Sequence, residues 1–115
     1  MHYFKNKRVW ITGASSGIGE ALSIAFAEQG AQLILSARNE LEINRVSAAC
    51  SKAGASSVLV QPLDLEQHER IPLIVESVLK KIGKVDILIN NGGISQRSLA
   101  SETTLEVDKK LMAVN

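Results

Sequence analysis

The chain alternates short apolar runs with stretches of helical periodicity, and the alternation repeats from end to end. Arg8-Val9-Trp10-Ile11-Thr12 is a β-branched run that stops at a glycine cluster, which predicts a buried strand. Beyond it, Ile18, Ala21, Leu22, Ala25 and Phe26 fall at the i, i+3, i+4, i+7, i+8 spacing of one helix face. Gly30 stands where that helix would end. Leu33-Ile34-Leu35-Ser36-Ala37 predicts a second strand, and Ile43, Val46, Cys50 and Ala53 a second helical stripe closed by Gly54. Residues 57–61 read as a third strand ended by Pro62. A third helical face runs through Ile71, Ile74, Val75, Val78, Leu79 and Ile82 to Gly83. Pro72 is tolerated only in a first turn, so this helix starts near Arg70 and leaves 66–69 as a loop or single turn. Residues 85–89 read as a fourth strand. Thr103-Thr104-Leu105-Glu106 has the form of a capping box, and Val107, Leu111 and Val114 mark the buried face of a fourth helix.

Strands separated by helices at this spacing imply parallel strands joined by right-handed crossovers. The expected fold is α/β, a Rossmann-type parallel sheet with helices on both faces and strand order 3-2-1-4, in one domain over 1–115. The strands carry few charges, as strands buried on both faces do. A doubly wound dinucleotide fold is normally built from two halves, and this sequence supplies the first half and the opening of the second.

Composition narrows the function classes. The 115 residues carry 13 Lys+Arg against 12 Asp+Glu, a net charge of +1, which leaves no electrostatic footprint for nucleic acid or an acidic membrane. At 45% hydrophobic the chain is too apolar for disorder, yet no run approaches the roughly 18 apolar residues that span a bilayer. Lys5, Lys7 and Arg8 precede only three apolar residues, which argues against a signal peptide. The single cysteine, Cys50, closes no intrachain disulfide and fits a reducing, cytoplasmic setting. It lies on an apolar stripe and reads as a small core residue. His2 and His68 lack metal-ligand spacing, so no metal site is expected.

The candidate chemistry lies between the first strand and the first helix. Thr12-Gly13-Ala14-Ser15-Ser16-Gly17-Ile18-Gly19 has Gly-x3-Gly-x-Gly spacing. Glycines let the backbone turn sharply and let a ligand approach with no Cβ in the way. The helix that follows offers unpaired N–H groups and the positive end of its dipole to a pyrophosphate, and Ser15 and Ser16 add hydroxyl donors. The plainer reading is a glycine turn needed only for helix–strand packing; the strand before and the helix after weigh against it. NAD-binding Rossmann folds carry a carboxylate near the end of the second strand. Here that place holds Ala37 followed by Arg38, with Ser36 as a further donor. A guanidinium clamps a 2′-phosphate where a carboxylate repels it, which points to NADP(H) over NAD(H). The alternative is a solvated arginine at a helix start.

The glycine loop resembles the cofactor loop of the short-chain dehydrogenase/reductase family, in its tyrosine-dependent branch. Further motifs follow in order. Asp64-Leu65 resembles the pair that contacts the adenine ring, although Asp64 alone also reads as a turn cap. Asn90-Asn91-Gly92-Gly93 resembles the family's Asn-Asn-Ala-Gly, with Gly92 in place of the alanine. Asn91 and Gly92 read as turn residues; the resemblance implies that their backbone also lines the adenosine ribose and that Gly93 belongs to the cofactor site, while Asn90 is structural. Asn115 ends a Leu-Met-Ala-Val-Asn segment where the family places its active-site asparagine, whose carbonyl holds a water in a proton relay. Taken alone it is a helix end. The 90–99 stretch resembles a branch that reduces lipophilic carbonyls, including retinoids and steroids.

In the family, hydride moves between the nicotinamide and a small-molecule carbonyl or alcohol. A tyrosine donates the proton, a lysine four residues on lowers its pKa, and a serine orients the carbonyl. The one tyrosine here is Tyr3, before the first strand, and no Tyr-x-x-x-Lys occurs. The expectation is therefore the N-terminal cofactor half of an NADP(H)-dependent oxidoreductase, with the catalytic and substrate-binding part absent from these residues. A half-sheet leaves the region of the first and fourth strands exposed on one side, which full-length members remove by completing the sheet and forming homo-oligomers. The alternatives are a non-catalytic dinucleotide-binding module and an inactive truncated product.

Overall fold

A computed structural model describes residues 3–91 and the strand 112–114. The apolar run Arg8–Thr12 forms β1, and Gly17–Glu28 forms α1. Gln32–Ser36 is β2, Glu40–Ala53 is α2 and Ser57–Val60 is β3. A short 3-10 turn at His68–Arg70 leads into α3, Ile71–Ile82, with Pro72 in its first turn. Ile87–Asn90 is β4 and Met112–Val114 is β5. The sheet runs β3-β2-β1-β4-β5 with every pairing parallel, which contains the expected 3-2-1-4 order.

Strand residues alternate between two cores, because successive side chains point to opposite faces. Val9, Ile11, Leu33, Leu35, Ile87 and Ile89 face α1 and α2, where they meet Ala27, Ile43, Val46 and Cys50. Trp10, Ile34 and Leu88 face α3, where they meet Ile71, Val75 and Val78. Trp10 is almost fully buried, and its Nε1 donates to Ser36 Oγ at 2.8 Å, so the one polar atom of the indole is satisfied. At the amino end of the sheet, Asp86 Oδ2 accepts from the Arg8 N–H at 2.8 Å and Asp86 Oδ1 lies 3.3 Å from Lys84 Nζ.

Two expectations from the sequence are corrected. The face that α1 buries is Gly19, Ser23 and Ala27, whereas Ile18 is 69% exposed and Ala21 and Ala25 are also exposed. Small residues at i, i+4, i+8 let the helix approach closely. The buried Ser23 hydroxyl donates to Gly19 O at 2.7 Å, so a polar residue on that face leaves no open hydrogen bond. Second, the segment Met112–Val114, expected on a fourth helix, is a strand whose register pairs Ile87 with Met112 and Ile89 with Val114. A short apolar run is compatible with either element, and here a β4 edge takes it up. It covers the side of β4 that a four-stranded half-sheet leaves open. The expected capping box at Thr103 to Glu106, with Val107 and Leu111, lies outside the described residues.

Candidate functional site

A groove of about 390 Å³ opens at the carboxyl ends of β1, β2 and β3. The β1–α1 turn contributes Thr12, Gly13, Ser15 and Ser16 to it, and the end of β2 contributes Ser36, Ala37, Arg38 and Asn39. The segment after β3 contributes Leu63, Asp64, Leu65 and Glu66. Two backbone bonds hold these walls together: Ala14 N–H to Ser36 O at 3.0 Å and Leu63 N–H to Ala37 O at 3.1 Å. Crevices outside the carboxyl ends of parallel strands are where open α/β sheets place ligands.

The turn is built around Gly13 and Ser16. Gly13 has φ 63°, in the left-handed region that favours glycine. Ser16 caps α1, its Oγ accepting from Gly19 N–H at 3.1 Å while its hydroxyl donates to Gly13 O at 3.0 Å. Ser16 O accepts from Glu20 N–H at 2.7 Å, and among the described residues the Gly17 and Ile18 amides of the first turn have no backbone acceptor. Asn91 closes the turn from the β4 side, its Nδ2 donating to Gly13 O at 3.1 Å and to Ser16 Oγ at 2.8 Å.

The two glycines of the first turn meet opposite surroundings. A Cβ at Gly19 would collide with the carbonyl oxygen of Gly13 and lie 2.9 Å from Asn91 Nδ2. A Cβ at Gly17 would meet nothing within 4 Å. Gly19 thus serves packing, and Gly17 faces open space at the mouth of the turn.

Arg38 is exposed at the other wall and has no ion-pair partner among the described residues. The second-strand carboxylate position is occupied by buried Ala37. Ser36 is fully buried, its Oγ taken by Trp10, so it supports the groove floor in this structure. Asp64 does both things the sequence left open: Oδ1 accepts from Glu66 N–H at 3.0 Å, capping a turn, and the residue lines the groove. Thr12 is buried, with its hydroxyl 3.3 Å from Asn90 Oδ1 and 3.4 Å from Ile89 O. Asn90 Nδ2 is buried and has no hydrogen-bond partner among the described residues.

A second polar cluster bridges α1 and α2. Arg45 on α2 reaches Glu20 at the start of α1 with paired bonds of 3.0 and 2.8 Å, and Glu42 through Nε and Nη2 at 3.2 and 3.1 Å. The Arg45 hydrogen bonds hold the Glu20 carboxyl below the usual carboxylate range. Burial, with the nearby Glu20 charge, pushes the Cys50 thiol up to about 11. A thiol held protonated is no nucleophile, in keeping with a packing role.

The structure therefore brings Thr12, Gly13, Ser15, Ser16, Arg38, Asp64 and Leu65 around one groove, while Gly17 and Ile18 open the helix that follows and are not among its lining residues. Gly92, Gly93 and Asn115 lie outside the described residues. The role sequence reasoning missed is the Asn91 side chain, which holds the turn. No spacing rule signals it, because Asn91 and Gly13 lie 78 residues apart in the chain.

The family described as short chain dehydrogenase matches residues 7–115. Among curated relatives, the mouse protein called Dehydrogenase/reductase SDR family member 7 is 47% identical over 110 residues, covering 93% of this chain and 32% of its own. Among solved structures, an NAD+-bound xylitol dehydrogenase superposes with TM-score 0.74 at 29% identity, covering 80% of this chain and 35% of its own. A hydroxysteroid dehydrogenase from Escherichia coli gives TM-score 0.72 at 32% identity, covering 80% and 37%. The chain spans about a third of the length of the curated relatives it matches.

Proposed function

Because the chain belongs to the short-chain dehydrogenase family, we propose that it forms the cofactor-holding part of an NADP(H)-dependent oxidoreductase acting on a small-molecule carbonyl or alcohol. The observation that carries this reading is the groove, which the 13–16 turn before α1 lines on one side and the Arg38 guanidinium, without an ion-pair partner among the described residues, on the other. The residues present fit a dinucleotide. Gly17 and Ile18 amides would hold the pyrophosphate at the positive end of α1. Arg38 would hold the 2′-phosphate, and Asp64 and Leu65 would flank the adenine. Asn91 keeps the turn in its binding shape. When bound, the cofactor supplies the hydride chemistry, and these residues supply placement. The proton donor and lysine that the family uses have no Tyr-x-x-x-Lys counterpart in these 115 residues, so residues 1–115 are assigned binding and orientation.

The preference for NADP(H) rests on Ala37-Arg38, since a relative of the same fold holds NAD+. Titrating both cofactors into wild type and Arg38→Glu tests it. The expected result is tighter NADPH binding in wild type and a loss of about tenfold or more in the variant, with NADH little affected. Equal NADPH affinity in the two proteins would end the assignment. A cytoplasmic homo-oligomer without nucleic-acid partners completes the proposal, supported by the even charge balance and the single cysteine. Among the described residues, no helix is long and apolar enough to cross a membrane.

A further inference from the structure

Two carboxylates sit on the helices whose starts flank the groove. Glu20 is in the first turn of α1, the helix whose start borders the glycine loop, and Glu42 is in the first turn of α2, just past Arg38 and Asn39. Acidic side chains at helix starts favour the helix on its own. A pyrophosphate or 2′-phosphate draws on the same positive ends, so an unmasked carboxylate there opposes the ligand. One side chain engages both. The Arg45 guanidinium takes both oxygens of Glu20 and one of Glu42. The fork geometry matches a carboxylate, which a lysine could not reproduce in pairs. The contact also joins α1 to α2, whose starts stand at opposite walls of the groove.

Building on the cofactor reading above, we propose that Arg45 is a positioning residue for the dinucleotide phosphates. It masks Glu20 and Glu42 and fixes the two helix starts relative to each other. It touches no ligand; it acts through the two carboxylates. The three side chains are 27 to 51% exposed, so the masking is screened by water and its effect is moderate. Glu40, in the same first turn of α2, has no ion-pair partner among the described residues and sets a constant background in every variant.

The experiment is a calorimetric titration of NADPH and NADH into the full-length protein that carries residues 1–115, with apo melting curves recorded beside it. Arg45→Met is expected to weaken NADPH about three- to tenfold and NADH by about twofold or less, because NADH lacks the 2′-phosphate. The gap between cofactors is expected to close at about 1 M salt, where the Debye length falls to about 3 Å. Arg45→Lys restores only part of the NADPH affinity, because an ammonium supplies the charge without the fork. Adding Glu20→Gln and Glu42→Gln to Arg45→Met restores it, without the tie between helices. An Arg45→Met protein that melts cooperatively and binds NADPH as wild type does would overturn the inference. Equal, salt-independent losses for both cofactors would also overturn it, since they would mean a structural tie alone. If wild type binds neither cofactor, the functional reading fails first and this one with it.

Discussion

On the face covered by α1 and α2, the core holds Ala14, Ala27, Ala31, Ala37 and Cys50 alongside the strand residues. On the face covered by α3, Trp10, Ile34, Leu63, Ile71 and Leu88 fill the space. The first face gains its packing from close approach, the second from side-chain volume. Close approach is what the groove needs, because a helix start presents its amides to a ligand only if the backbone comes near. Volume is what stability needs, since dense aliphatic packing contributes most of the burial term. The two helices that start beside the groove, α1 and α2, both cover the small-residue face; Leu63 and Leu65 line the groove from the other core, and α3 itself contributes no lining residue.

The largest effect should come from Gly19→Val, which forces a Cβ against Gly13 O and should cost about 3 kcal/mol or more in urea unfolding. Gly17→Val should melt within about 1 kcal/mol of wild type and yet lose cofactor binding, since its side chain points into open space. Equal destabilisation by the two would erase the distinction between them. Next, Ile71→Ala on the opposite face should remove about 2–3 kcal/mol while leaving NADPH affinity unchanged. A parallel drop in affinity would mean that the faces are not separable. Trp10→Phe belongs to both, because its indole packs toward α3 while its N–H supports Ser36 under the groove. It should cost about 1 kcal/mol and weaken binding slightly more than Ile71→Ala does.

The smallest effect lies at the amino end of the sheet. Burial pushes the Asp86 carboxyl up, but the Arg8 N–H, Lys84 and Lys7 outweigh it and hold the group below its ordinary value. A carboxyl depressed on folding adds stability at neutral pH, and that contribution is lost as pH falls below about 4. Asp86→Asn should flatten this acid limb in denaturation curves at pH 3 and 7, with cofactor affinity at pH 7 unaltered. An unchanged acid limb would remove Asp86 from the account.

Much of this architecture was legible because its signals are local. Glycines follow β1 and end each helix, Pro72 marks the start of α3, and strand runs are short and apolar, so element order and most bounds follow from the chain. Arg38 and the glycine turn were legible for the same reason, as neighbours in sequence that become neighbours in space. The buried face of α1 was not, because apolar periodicity weights Ile18 and Ala25 above Gly19 and Ser23, and close packing selects for size. The strand at Met112–Val114 was not, because three apolar residues fit either period and pairing with β4 decides. Nor was Asn91, whose partners are set by the β1–β4 pairing.

That pairing also orders events during synthesis. β1 joins β2 across a short span, Arg8 with Gln32, but meets its other neighbour across a much longer one, beginning at Val9 with Ile87. A nascent chain leaving the ribosome therefore carries β1 with one bare edge until β4 emerges, an interval open to stray strand pairing. Every neighbouring pair is parallel, so no hairpin can nucleate early, and long-range contacts make assembly slow. The glycine turn is made before β2, yet the Asn91 bonds that clamp it arrive with the end of β4. The glycine turn thus waits, through the synthesis of most of the described sheet, for the residue that locks it.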